Sequence, residues 1–206
     1  MDGSEIHEAT LTLYFLQKAG AQAVCLAPEG AQHDVIDHQH ARPMQQVRNL
    51  LTESARISRG PITSLSALDP ATLDGLILPG GYGAVKNLCD YAVRGRDARV
   101  RAEVRDLIVA MVEGGKPVGA MCIAPVVVAL ALGQSGRSPY LTIGHDAATA
   151  ADIAAVGAKP VDAGVEAIVV DEALKVVSTP AYMIGPGIAD IAKGIEKLVD
   201  QVLAWT

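Results

Sequence analysis

Cys122 is the first residue in this chain with the type and setting for chemistry. It sits in GAMCIAP, between an apolar stretch at 117–121 and a second one running on from 123. Gly119 and Ala120 are small enough to allow a sharp strand-to-helix turn that lifts one side chain above a sheet edge. A thiol placed there lies near a helix N-terminus, whose partial positive charge favours the thiolate. The position would equally suit a small core cysteine, a common fate of a free thiol. Glu5 and Glu8, three apart near the start, share one face of a first helical turn. Acids there usually serve as helix-end charges. One that faced Cys122 could act as a general base, its pKa raised by burial. In PGGYGAVKNL at 79–88, Gly80 and Gly81 directly follow an apolar run. Their backbone amides could approach a developing oxyanion closely, although an ordinary turn would look the same. The loop lacks the Lys-Ser/Thr ending of a phosphate loop.

His145 follows YLTIG and could shuttle protons beside a thiolate, although a loop histidine without a role fits the sequence as well. His7 reads as a surface residue. His33, His38 and His40, with Asp34 and Asp37, invite a metal, but no cysteine joins them and their loop offers no fixed ligand scaffold, so no metal site is expected. Cys25 reads as core, and Cys89 falls within a helix.

The elements that must position these residues follow from hydrophobic spacing. A helix is expected from an N-cap at Ser4 to a stop at Ala19-Gly20, then a buried strand at 23–27. A short strand at 34–37, a helix over 50–57 and a strand at 74–81 come next. Helices are expected around 84–92 and over 98–114, a strand at 117–121, a helix apolar on nearly all faces at 123–132, a strand at 140–144 and a helix at 147–156. A hairpin over 166–179 turns at Asp171–Leu174, and an amphipathic helix follows from Ile188. Strands and helices alternate, and the strands are continuous apolar runs. That pattern describes a mostly parallel sheet covered on both faces, in one domain over 1–206. Ligands of such sheets bind at the carboxyl ends of the strands, where Gly80 and Cys122 fall.

Composition bounds the partners. The chain has 206 residues, 50% of them hydrophobic and 3% aromatic, with a net charge of −6. Such a chain folds from Ala, Val, Leu and Ile, and its acidity argues against nucleic acid. No apolar run is long enough to span a membrane, and MDGSEIHE lacks signal-peptide character. Three cysteines without paired spacing read as reduced thiols, so a cytoplasmic location is expected.

DGSEIHEA, GAQAVCLAP, PGGYGAVKNL, GAMCIAP, LTIG and VVSTPAYM, in this order, resemble the ElbB-type branch of the ThiJ/PfpI superfamily, related to class I glutamine amidotransferases. The resemblance spans nearly the whole chain and implies a flavodoxin-like three-layer sandwich. It also implies that Cys122 is the nucleophile, that Glu8 or alternatively Glu5 is its acidic partner, and that Gly80, Gly81 and Ile123 supply oxyanion amides. A superfamily histidine falls near His145. The branch usually begins with a strand ahead of this chain's Met1-Asp2-Gly3, so the sheet is expected to lack its first strand. Ile123 stands where peptidase relatives have histidine, and no histidine follows His145, which argues against peptidase and glutaminase chemistry. The activity implied is a cofactor- and glutathione-independent glyoxalase acting on a small dicarbonyl, in a homodimer. A thiol redox sensor or an accessory to isoprenoid synthesis are the alternatives.

Overall fold

The apolar runs of the sequence become short strands flanked by helices. The computed structural model describes residues 1–206. In chain order it contains α1 (Ile6–Lys18), β1 (Leu26–Ala27), β2 (Ile36–Asp37), β3 (Arg42–Pro43), α2 (Leu50–Ser58), β4 (Thr63–Ser64) and β5 (Leu76–Leu78). These are followed by α3 (Tyr91–Arg94), α4 (Ala102–Glu113), β6 (Val118–Met121), α5 (Pro125–Gly133), β7 (Tyr140–Leu141) and α6 (Ala147–Ala155). The chain ends with β8 (Lys159–Pro160), β9 (Val169–Asp171), β10 (Val176–Thr179) and α7 (Ile188–Ala204).

The central sheet has the order β5-β6-β10-β9. β5, β6 and β10 are parallel, with Val118 opposite both Leu76 and Val176, and β9 returns antiparallel along β10 as the expected hairpin. Side chains alternate faces along a strand, yet every residue of β6 is apolar or glycine because both faces are covered. Val118 and Ala120 join the core shared with α4 and α5, whereas Met121 joins the core under α7 and Phe15 of α1. Three layers result, and α/β is the fold class. The residues Pro125 to Leu132 of α5 are all buried, which accounts for a helix without a polar face. Gly119 lets α7 sit close, since a Cβ there would lie 2.8 Å from Leu198 Cδ2.

Several boundaries differ from the sequence pattern, each for a local reason. Glu5, not Ser4, caps α1, its carboxylate accepting from Glu8 N. The expected strand at 23–27 narrows to β1, and Val24 is 47% exposed. β1 pairs only with β4, and β5 only with β6, so each keeps one edge without a strand. The helix expected near 84–92 is a π-helical turn at Ala84–Leu88 followed by α3, separated by the extended backbone of Cys89, which bridges to Val100. Arg101 is the N-cap of α4, so the helix expected from 98 starts at Ala102. The strand at 140–144 stops at Leu141, where Thr142 N turns to Ser178 Oγ (2.9 Å). The hairpin turn sits one residue later than expected, over Glu172–Lys175 between β9 and β10.

Candidate active site

At the end of β6 the chain reverses at Cys122, whose φ of 57° is in the left-handed region. A side chain costs about 1–2 kcal/mol there. Cys122 N donates to Thr179 O at the end of β10 (3.1 Å), which fixes the elbow to the neighbouring strand. α5 begins only at Pro125.

Glu8 enters from α1, whose Phe15 shares a core with Cys122 and α7. Its side chain lies on the buried face of α1 and is fully shielded from solvent. Glu8 Oε2 accepts from Gly80 N (2.8 Å) and Oε1 from Tyr182 N (3.4 Å). Gly80 is the floor between acid and thiol: a Cβ there would lie 2.5 Å from Cys122 Cβ and 2.8 Å from Glu8 Oε2. Residues 3–5 pack over the same loop, with Glu5 N donating to Gly80 O (3.0 Å) and Gly83 N to Gly3 O (2.9 Å). Gly81, with φ +88°, meets Glu5 N there so closely that no side chain would fit.

The pair has a distinct electrostatic state. Burial raises Glu8 to about 7 against the pull of the Gly80 amide, and the nearby Glu5 carboxylate adds to the rise. Burial also pushes the Cys122 thiol up to about 12, and the charge of Glu8 adds to it, while the Gly81 and Ile123 amides facing the sulfur pull the other way. The expectation of a resting thiolate is therefore corrected. The helix end lies three residues away, and desolvation together with an adjacent carboxylate outweighs it. The site thus holds a protonated thiol beside a carboxyl whose raised affinity for protons suits it to take the sulfur's proton when an electrophile arrives.

The sequence left two acids open. Glu8 is the one beside Cys122, and Glu5 caps α1, accepting from Glu8 N (2.7 Å). Of the three amides singled out, that of Gly80 is already engaged by Glu8, which leaves Gly81 and Ile123 facing the sulfur. His145 is exposed just after Gly144 and forms no hydrogen bond to Cys122 or Glu8. The other histidines are split among separate carboxylates: His33 with Asp34, His38 with Asp2 and His40 with Asp37. Cys25 is half-buried and Cys89 buried, its thiol raised by burial to about 11. Two further residues lie near the site: Tyr182, which the sequence pattern did not single out, and His7, which reads as a surface residue and is half-exposed. His7 Nδ1 and Tyr182 Oη, 175 positions apart, share a 2.8 Å hydrogen bond beside Glu8. Only their neighbours in sequence, Glu8 and the STPAYM stretch, pointed toward them.

No family model matches the chain. It is 43% identical to the human glutamine amidotransferase-like class 1 domain-containing protein 3, mitochondrial, over 215 aligned residues that cover 100% of this chain and 79% of the relative. The rat ES1 protein homolog, mitochondrial, is 41% identical with the same coverage. Among solved structures, the isoprenoid biosynthesis protein with amidotransferase-like domain from Ehrlichia chaffeensis superposes with a TM-score of 0.92 at 30% identity, covering 100% of this chain and 94% of that one. Drosophila melanogaster DJ-1beta matches at a TM-score of 0.57 and 22% identity, a likeness of fold, over 99% of this chain and 90% of that one. The expected cytoplasmic location is corrected by the relatives: the human and rat proteins, and the zebrafish ES1 protein, are all named as mitochondrial. With relatives this similar along its whole length, the chain belongs to the family of glutamine amidotransferase-like class 1 domain proteins, which has the ThiJ/PfpI (DJ-1 superfamily) fold.

Proposed function

We propose that the chain is a cofactor- and glutathione-independent glyoxalase of the ElbB-type branch, converting methylglyoxal or glyoxal and water to lactate or glycolate. The observation that carries this reading is the buried pair at the elbow, a thiol on a left-handed turn beside a carboxyl held near 7. Cys122 Sγ attacks the aldehyde carbon, its proton passes to Glu8, and the carbonyl electrons move onto oxygen facing the Gly81 and Ile123 amides. Glu8 returns the proton to that oxygen, giving a hemithioacetal. Its carboxylate then takes the proton from the former aldehyde carbon and passes it to the neighbouring carbonyl oxygen, giving an enediol, after which the first carbon's hydroxyl gives up its proton through Glu8 to the second carbon. The first carbon is now a thioester and the second an alcohol, an internal oxidation and reduction. Water attacks the thioester, the C–S bond breaks, and the thiol regains its proton as the hydroxy acid leaves.

The reading includes a small dicarbonyl substrate and a homodimer. Its test is incubation of the purified protein with methylglyoxal, free of glutathione and metal, with D- and L-lactate measured beside a Cys122→Ala control. Lactate that disappears in the variant is the expected result, and none from the folded protein would overturn the reading.

A further inference from the structure

We propose that His7 and Tyr182 are positioning residues that latch Glu8 against Cys122, a role that rests on Glu8 being the base of the reaction above. Both donors to the Glu8 carboxylate come from outside its helix. Gly80 N belongs to the loop after β5, which is tied down by Glu5 N and Gly3 O. Tyr182 N belongs to the turn at 181–183, and its bond is the longer one at 3.4 Å. This second donor stays in reach only while that turn stays close to α1. The hydrogen bond between His7 Nδ1 and Tyr182 Oη joins the two, one residue along the helix from Glu8 and on the very residue whose amide binds it. The rings lie 5.8 Å apart, and neither side chain makes another hydrogen bond. Glu5 Oε1 lies 3.9 Å from His7 Nδ1 and flanks the same latch. Buried Ala181, with a φ of 42°, gives the turn the sharp bend from which Tyr182 leads toward α1.

His7 is 52% exposed, so the latch contributes little to folding and acts mainly on where Glu8 rests. Two consequences separate this role from a structural one. Opening the latch removes a donor from the base and slows turnover. It also lets the carboxylate drift from the sulfur it holds in the thiol form, so Cys122 becomes more reactive toward an external electrophile.

The test uses Tyr182→Phe, His7→Ala, the double variant and His7→Asn, whose amide can stand where Nδ1 stands. Two readings are taken: kcat and KM with methylglyoxal, and the alkylation rate of Cys122 by iodoacetamide near pH 8, followed by peptide mapping. Each single variant is expected to lower kcat by about fivefold, the net effect of one hydrogen bond, and to speed alkylation by a similar factor. KM should stay within about twofold, the double variant should match the singles, and His7→Asn should recover most of the loss. Unchanged alkylation in Tyr182→Phe, or a double variant whose losses multiply, would overturn the latch. If the wild-type protein forms no lactate, the alkylation readings still decide the latch, so its failure is distinguishable from failure of the glyoxalase reading.

Discussion

Replacing Gly80 with alanine tests the site through contact alone. Its φ lies outside the left-handed region, so an alanine there carries no backbone penalty, but its methyl group would lie 2.5 Å from Cys122 Cβ, 2.8 Å from Glu8 Oε2 and 2.9 Å from Met121 O. Carbon atoms rest about 3.5–4 Å apart, so acid and thiol must separate by about 1 Å. A displacement of that size between reacting groups lowers turnover by about a hundredfold. Overpacking a buried position costs about 1–3 kcal/mol, which for a chain of this length lowers the melting temperature by about 3–10 °C. The assay is lactate formation from methylglyoxal, with melting followed by circular dichroism. A Gly80→Ala protein that melts as expected yet keeps its rate to within about threefold would refute the reasoning, because thiol and acid would then be shown not to work across that glycine.

The other predictions concern the acid, the thiol and a residue left outside the site. Glu8→Gln should lower kcat by about a hundredfold or more, as removal of a general base does, and steady-state lactate rates will check it. In the wild-type protein the rate should rise with pH through about 7 and then level, because Glu8 must be ionised to take the thiol proton. The same group sets a pH dependence of stability. Its folded value of about 7 lies above the ordinary glutamate value of 4.5, so its contribution is full below about 4.5 and is lost as pH rises through 7. The loss is on the order of 3 kcal/mol at most, and melting curves at pH 5 and pH 8 should show a larger drop in the wild-type protein than in Glu8→Gln. His145→Ala should keep the rate within about twofold, since the histidine is exposed and bonds to neither Cys122 nor Glu8.

Much of this arrangement is legible in the sequence. The apolar run at 117–121 and the all-apolar helix after it put Cys122 at a strand-to-helix elbow because small residues precede it, and it stands there with a left-handed φ. The hairpin at 166–179 and the last helix were readable from their periodicity. Strands of two residues, such as β4 and β8, have no period and could not be read. The choice between Glu5 and Glu8 was not legible either, because three-residue spacing puts both on one face and only the third dimension buries one. Nor was the protonation of the thiol: proximity to a helix end is a sequence property, whereas burial beside a carboxylate is a property of packing. Tyr182 was invisible for the same reason, since its amide and hydroxyl meet Glu8 and His7 only once residues far apart in sequence are brought together.

The left-handed backbone at Cys122 also bears on how this protein would respond to selection for stability. Any side chain at position 122 carries the strain of that φ, and glycine alone is free of it. Cys122→Gly should therefore melt above Cys122→Ala, even though both lack the thiol. A mutant library sorted only for thermal resistance would enrich glycine at this position and so discard the nucleophile, whereas sorting that also rewards turnover would retain cysteine at a permanent cost of about 1 kcal/mol. The elbow is thus a point where stability and activity pull the sequence in opposite directions, and thermostable variants of this fold are best sought among residues outside it.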